Sequence, residues 1–373
     1  MISDPDTRYM KHALSLAERG LGRVAPNPAV GCVIVRFDEK PGGIVVGRGH
    51  TQAGGRPHAE TEALAMAGAA AKGATAYVTL EPCAHHGKTP PCAEALIKSG
   101  VTRVVVACLD PDPRVSGRGV EALDSFGLET SVGVQEAEAR WLNRGFMSRI
   151  EKGRPSIAVK VATSLDGRIA THAGDSQWIT SLEARRHGHL LRATSDAIMI
   201  GSTTAILDDP SLDCRLEGLE DHSPVRIICD GRLRLPLTSK IVQTARERPS
   251  ILVTLNSSET VRRKAFEDCG VEVIVVPANQ AGLIDLGLAA RELGRRGLTR
   301  VLVEGGGYLI ASLMAEKLVD EVYWFRAPKI IGHDGVAAVQ AFGVDRVDQA
   351  AILDRTDVQV LGEDLLETYV VRH

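Results

Sequence analysis

The 373-residue sequence contains no run approaching the ~18–20 consecutive apolar residues of a membrane-spanning helix, which predicts no membrane span. Its first residues, Met1 to Lys11, are polar and mixed in charge. They lack the basic start and apolar stretch of a secretory signal. Positive charge is not in excess either. The 44 Lys and Arg stand against 47 Asp and Glu, a net of −3, which is no electrostatic footprint for a nucleic-acid binder. No repeat of fixed period and no low-complexity tract is present. The seven cysteines are odd in number and scattered, so they read as core residues, metal ligands or nucleophiles rather than as a disulfide framework. These absences predict a cytoplasmic protein that binds neither nucleic acid nor membrane. A homo-oligomer, dimer or tetramer, is expected.

What is present is a long chain with 44% apolar residues, enough for two cores. Strand-like and helix-like runs alternate, which predicts an α/β architecture. In the first half, Ala29–Arg36, Ile44–Gly47, Thr75–Leu80 and Thr102–Cys108 read as strands, with helices over Ala59–Ala71 and Cys92–Lys98. The pattern breaks in the charged, Gly- and Pro-containing stretch Arg149–Pro155, which places domains at 1–149 and 150–373. Beyond it, Ser156–Ala162, Ala197–Gly201, Val225–Asp230, Ile251–Leu255, Val271–Val276 and Thr299–Glu304 read as strands. Helices are predicted over Ser181–Ala193, with Thr180 or Ser181 as N-cap, over Leu283–Leu293, and from about Tyr308. G-x-G-x-x-G is missing from the start of this half, so an ordinary Rossmann domain is not indicated.

Two short motifs in the first half carry chemistry. Pro57-His58-Ala59-Glu60 opens a helix, and Pro82-Cys83 leads through a loop to Pro91-Cys92, where another helix begins. A catalytic zinc takes three protein ligands and keeps one position open. His58, Cys83 and Cys92 supply one nitrogen and two sulfurs, and a helix N-terminus favours a thiolate at Cys92. Glu60 lies two residues from His58, close to the metal without binding it. That suits a general acid/base that takes a proton from water at the metal and returns it to a leaving amine. Zinc deaminases pair H-x-E with a later P-C-x-x-C. The spacing here is C-x8-C, a departure from that short form.

The second half offers weaker signals. Glu304-Gly305-Gly306-Gly307 lies between a strand and a helix, where backbone amides can approach an anion, although a tight turn without ligand is the competing reading. Ser164–Arg168 and Ser176–Thr180 follow a buried strand, and Asp208-Asp209-Pro210 is first of all a turn. Arg192 and Arg215 are solvated by default but suit bidentate phosphate binding. His172, His187, His189 and the cysteines at 32, 108, 214, 229 and 269 read as structural or surface residues. His187 and His189, two apart on a helix, point to different faces.

With Pro26-Asn27-Pro28, Val30-Gly31, the His58/Glu60 motif and the long Glu81–Cys92 loop, the chain resembles the bifunctional deaminase–reductases of riboflavin biosynthesis from about Arg8 to near its C-terminus. In that family the x8 loop is the normal spacing. The resemblance implies an N-terminal cytidine-deaminase-like α/β/α domain and a C-terminal dihydrofolate-reductase-like α/β domain, with Zn2+ and NADPH as cofactors. It implies that Asn27 and Lys88 contact substrate, and that many relatives carry a His where this chain has Thr51, with His50 one residue earlier. In the second half it implies NADPH contacts at Ala162, Trp178, Thr204, Asp208, Gly306 and Gly307. It implies substrate contacts at Lys160, Ser176, Arg192, Leu212, Arg215 and Glu304, the two arginines clamping a phosphate. The implied reactions are hydrolytic deamination of 2,5-diamino-6-(5-phosphoribosylamino)pyrimidin-4(3H)-one, then NADPH-dependent reduction of 5-amino-6-(5-phosphoribosylamino)uracil. Two rival readings stand beside it: a zinc nucleoside or nucleic-acid deaminase with an unrelated C-terminal domain, and a non-catalytic α/β binding protein on the same scaffold.

Overall fold

The computed structural model describes residues 4–38, 42–84 and 90–373. The chain divides into two compact units, 1–153 and 154–373. A helix over Arg144–Lys152 runs past the 149/150 boundary drawn from the sequence, and the division falls after it.

In the first unit the strands are β1 (Gly31–Arg36), β2 (Ile44–His50), β3 (Thr75–Val78), β4 (Arg103–Val106) and β5 (Glu129–Val132). They form one sheet in the order β2-β1-β3-β4-β5. β1 runs antiparallel to both neighbours, while β3, β4 and β5 are parallel. The helices are α1 (Asp4–Ala17), α2 (Ala59–Ala67), α3 (Cys92–Ser99), α4 (Arg118–Ser125), α5 (Glu136–Leu142) and α6 (Arg144–Lys152). The predicted long Ala-rich helix ends at Ala67, and Gly68–Ala71 continues as a 3-10 turn. Helix α2 buries Ala59, Ala63 and Ala67, a four-residue spacing that makes one flat face. That face meets glycines of β2: a Cβ on Gly47 would fall 2.2 Å from the Ala63 carbonyl oxygen, and one on Gly49 2.4 Å from that of Ala59. Small residues on both surfaces thus let α2 lie directly on the sheet, which fixes where its first turn points.

The second unit has β6 (Ser156–Thr163), β7 (Arg168–Ala170), β8 (Ala197–Gly201), β9 (Val225–Cys229), β10 (Ser250–Leu255), β11 (Glu272–Val276), β12 (Arg300–Glu304), β13 (Glu321–Arg326), β14 (Val336–Ala337), β15 (Leu353–Leu361) and β16 (Asp364–Val371). Its helices are α7 (Leu182–Ala193), α8 (Ser202–Asp208), α9 (Lys240–Gln243), α10 (Thr260–Asp268), α11 (Leu286–Arg295) and α12 (Gly307–Ala315). A nine-stranded sheet has the order β11-β10-β9-β8-β12-β6-β13-β16-β15, parallel from β11 to β13, with β16 antiparallel to both of its neighbours, β13 and β15, at one edge. Its central strands are covered on both faces: Ala197 and Met199 of β8 join one cluster, Ile198 and Ile200 another. Continuous apolar strands are what two-sided burial requires. β6 enters tied to β13: Arg154 donates from two nitrogens to Asp320, at 2.6 and 2.9 Å, and the Asp320 carboxylate accepts the Ile157 amide.

Of the two caps expected for α7, Thr180 and Ser181, it is Ser181 that caps it, its Oγ accepting the Ala184 amide at 3.2 Å. The same hydroxyl donates to the Leu361 carbonyl, and the Ser181 amide donates to Asp364, so the turn between β15 and β16 anchors the start of α7. Helix α11 begins at Leu286 rather than Leu283, because Asp285 provides the N-cap, accepting the Leu288 amide. Among the described residues no helix is long and apolar enough to cross a membrane.

Candidate active sites

In the first unit His58 is the N-cap residue of α2, Glu60 lies in its first turn, Cys83 follows β3, and Cys92 starts α3. The tertiary fold brings them together. His58 Nδ1 is 3.2 Å from Cys92 Sγ and 3.8 Å from Cys83 Sγ. The three ligand atoms lie within 4.8 Å of one another. Tetrahedral zinc with bonds of about 2.0–2.3 Å separates its nitrogen and sulfur donors by roughly 3.5–3.8 Å, so this set fits the ion. The sulfur that the helix N-terminus favours is Cys83 rather than Cys92. The Cys92 amide donates to Cys83 Sγ at 3.3 Å, and the Ala93 amide to the Cys83 carbonyl. A hydrogen bond from the Cys92 thiol pulls Cys83 down to about 4, while Cys92 moves up in turn.

Glu60 is almost fully buried, at 3% exposure, and burial pushes its carboxyl up to about 7. A carboxyl poised there can both accept and return a proton near neutral pH.

A carboxylate that sequence reasoning passed over shapes this centre. Buried Glu81 accepts the amides of Asp110, Gly117, Gly119 and Val120, at 3.1, 3.0, 2.7 and 3.3 Å, two residues ahead of Cys83. It anchors the segment leading into α4 against Pro82, next to Cys83. Its contiguity with Pro82-Cys83 was the only signal available. Asn27 is half-buried and packs directly on Gly55, in the loop that ends at His58. Asn143 holds the next turn, exchanging two hydrogen bonds with the Ala29 backbone at 2.8 and 2.9 Å. Lys88 lies outside the described residues. Thr51 is buried and its Oγ1 accepts the Val30 amide, whereas His50 Nδ1 meets Gln52 Nε2.

In the second unit a cavity of about 660 Å³ opens at the C-terminal ends of β8, β9, β10 and β12. Strand order changes direction here, since β12 sits between β8 and β6. Such crevices are the usual ligand sites of open parallel sheets. Thr204, Asp208, Gly306 and Gly307 line it. Gly306 has φ +81°, and a Cβ on it would lie 3.3 Å from Thr204 Oγ1. A Cβ on Gly307 would lie 3.0 Å from the Ala337 carbonyl oxygen. The glycines thus let Thr204 and the Ala337 backbone pack close against the start of α12, which lines the cavity. Arg232 and Arg234, which sequence reasoning missed, also line it; Arg234 donates to Ser202 Oγ at 2.7 Å. Ser176, expected to touch substrate, lines this same cavity. Ala162 and Trp178 are outside its lining. Ala162 pairs with Phe325 across β6 and β13, and Trp178 stacks on the Arg185 guanidinium at 4.3 Å.

The remaining expected residues form a polar cluster. Arg192 grips Glu304 through two nitrogens, at 2.7 and 2.9 Å, and donates to the Asp213 carbonyl at 2.9 Å. Lys160 Nζ is 3.8 Å from the same carboxylate. Burial alone pushes Glu304 up, but Arg192 and Lys160 outweigh it and hold the carboxyl at about 2. Arg192 is therefore already committed to a carboxylate, and Arg215, largely exposed and 3.7 Å from Asp213, is the looser cation. Leu212 is buried with φ +54°, turning the chain into this segment. His189, set aside as structural or surface on sequence grounds, joins the cluster instead: its Nδ1 accepts the Arg215 amide.

Together the two units define a two-domain enzyme with a zinc-type deaminase centre in one half and a large cavity over a parallel sheet in the other. Comparison with known proteins agrees. Residues 3–108 match the cytidine and deoxycytidylate deaminase zinc-binding region, and residues 155–366 match the RibD C-terminal domain. The chain is 42% identical over 366 residues to the riboflavin biosynthesis protein RibD of Aquifex aeolicus, covering 98% of each chain. It is 40% identical to that of Escherichia coli, covering 96% of this chain and 98% of the other. The solved structure of Acinetobacter baumannii RibD (form 1) superposes with a TM-score of 0.87 at 38% identity, covering 99% of both chains. The chain belongs to the RibD family, the bifunctional deaminase–reductases of riboflavin biosynthesis. Its first half is a cytidine-deaminase-like zinc-binding domain and its second a dihydrofolate-reductase-like domain of a family that uses NADPH.

Proposed function

We propose that His58, Cys83 and Cys92 hold the zinc and that Glu60 moves the protons of deamination. The convergence of three ligand atoms within 4.8 Å, with a buried carboxyl beside them, carries this reading. Zinc, when bound, supplies a Lewis acid that makes water nucleophilic at neutral pH. Glu60 takes a proton from the attacking water and delivers it to the ring amine, which leaves as ammonia. Asn27 and Lys88 orient the phosphoribosylaminopyrimidine, its 2-amino group at the reacting carbon.

In the second unit Thr204, Asp208, Gly306 and Gly307 bind NADPH, with Ala162 and Trp178 as further contacts. The cofactor supplies the hydride that converts the ribosylamino group to ribitylamino. Lys160, Ser176, Arg192, Leu212, Arg215 and Glu304 bind the deaminated substrate. Since Arg192 is paired with Glu304, Arg215 is the principal phosphate contact, and Arg192 holds the Asp213 carbonyl two residues before it. All seven cysteines are free, which fits a cytoplasmic enzyme. We infer a homo-oligomer, dimer or tetramer; the edge strand β15, with Val358 and Val360 exposed, supports it, and light scattering tests it.

Glu60→Gln tests the central assignment. Ammonia release is expected to fall by about 10²–10⁴-fold, the usual worth of a general acid/base, while NADPH oxidation on the deaminated intermediate is unchanged. Normal ammonia release by this variant would refute the role of Glu60.

A further inference from the structure

Helix α7 carries two histidines two residues apart, and the fold sends them to different surroundings. His187 packs edge-on against Phe325, with ring centroids 5.9 Å apart, and the core accounts for it. His189 lies three residues before Arg192 and shares its face of the helix. Its Nδ1 accepts the backbone N–H of Arg215 at 3.2 Å, and its Nε2 edge is 3.4 Å from an Arg215 guanidinium nitrogen. An imidazole that accepts at Nδ1 carries its proton on Nε2 and is neutral. Burial, together with Arg192 and Arg215, favours the neutral form, against the opposing pull of Glu304 and Asp213.

The segment 213–215 is fastened to this helix at three points. Arg192 donates to the Asp213 carbonyl, Cys214 Sγ donates to the His189 carbonyl at 3.5 Å, and the Arg215 amide donates to the His189 ring. Only the last of these holds the backbone of Arg215 itself. The Arg215 guanidinium is 65% exposed and its nearest carboxylate, Asp213, is 3.7 Å away. A long side chain so loosely paired owes its direction to its backbone anchor.

We propose that His189 is a positioning residue of the reductase reaction: it anchors the Arg215 backbone so that the guanidinium meets the phosphate of the incoming substrate. The proposal rests on the reading of Arg215 as a phosphate contact. Loss of the ring leaves the Arg215 N–H without its acceptor and spreads the guanidinium over many orientations. Substrate binding then weakens, while the geometry of hydride transfer at the other end of the substrate is untouched.

The test uses the full-length chain and follows NADPH oxidation with the deaminated phosphoribosylaminopyrimidine. His189→Ala is expected to raise KM for this substrate about tenfold, the equivalent of one hydrogen bond of about 1.4 kcal/mol. kcat and KM for NADPH should change less than about twofold, since neither depends on the phosphate anchor. His189→Asn, whose Oδ1 can accept the Arg215 amide where Nδ1 did, should recover most of the loss. On the dephosphorylated substrate the gap between the native chain and His189→Ala should close. Equal losses in the Ala and Asn variants, a fall in kcat at unchanged KM, or the same penalty without the phosphate would each overturn the proposal. No NADPH oxidation by the native chain on either substrate would instead overturn the reductase reading itself, and this inference with it.

Discussion

The deaminase centre gathers its chemistry at the N-termini of two helices. His58 and Glu60 sit at the start of α2, Cys92 at the start of α3, and the amide of Cys92 bonds the sulfur of Cys83. The reductase half spreads its chemistry along strand ends. Gly201 to Asp208, Asp230 to Arg234 and Gly305 to Gly307 approach one cavity from β8, β9 and β12, and Glu304 faces Arg192 across 112 residues of sequence. The first arrangement binds a compact ion and needs few ligands at short range. The second offers wall area and charge from many segments, as an extended ligand demands. A centre of the first kind fails when one ligand is removed, whereas a cavity of the second kind is expected to fail by degrees.

The largest test of that contrast removes a metal ligand. Cys83→Ala is expected to abolish stoichiometric zinc by metal analysis and to reduce ammonia release at least 10³-fold, because two ligands seldom retain a catalytic ion. NADPH oxidation on the deaminated intermediate should stay within about twofold of the native rate. Retention of zinc with normal deamination would show that Cys83 is no ligand and would undo the comparison.

A smaller effect is expected from Glu304→Gln. The variant leaves the largely enclosed Arg192, its side chain 16% exposed, facing a neutral amide, and breaking a fully buried pair costs about 3–5 kcal/mol, an upper bound here. Chemical denaturation should show the loss in the reductase transition, with deamination unaffected. Its pH dependence has a definite sign. The Glu304 carboxyl is held at about 2 in the fold, below its unfolded value, so its stabilisation is complete above pH ~4.5. That contribution fades as pH falls toward 2, and the difference between native and variant proteins should narrow over that window. A constant difference would mean that charge pairing is not its source.

The smallest effect is expected from Ser181→Ala. Losing the N-cap of α7 should cost about 1 kcal/mol, with some addition for the lost bond to Leu361, and lower the thermal midpoint of the reductase unit by a few degrees. Reductase KM should rise modestly because Arg192 and His189 ride on that helix. An unchanged midpoint would place the anchoring of α7 elsewhere.

Much of both units was legible beforehand. Ala197–Gly201 was predicted to the residue, and Ser181 as one of two candidate caps, because apolar runs and side-chain oxygen caps act locally. Less visible were α1, β13 and the β15–β16 hairpin. The β15 strand is mostly exposed and carries alternating charge, so its place at the sheet edge comes from pairing with β16 rather than from its own apolar pattern. His189 was set aside because its partner, the Arg215 amide, is 26 residues away. Arg232 and Arg234 were missed because a turn after β9 looks the same whether or not a cavity lies beside it.

The linear order of residues by itself determined the deaminase motif, the two-domain length and the alternation of strands and helices. Those depend on contiguous spacing, helix starts and burial periodicity, all of which are encoded within a few residues. Only the tertiary structure decided which cysteine sulfur the α3 N-terminus serves, that Arg192 spends its charge on Glu304, and that Ser176 lines the same cavity as Thr204 and Gly306. Each of those turns on directed contacts of a few ångströms between segments distant in sequence, and direction across space appears only once the sheets have set the strands side by side.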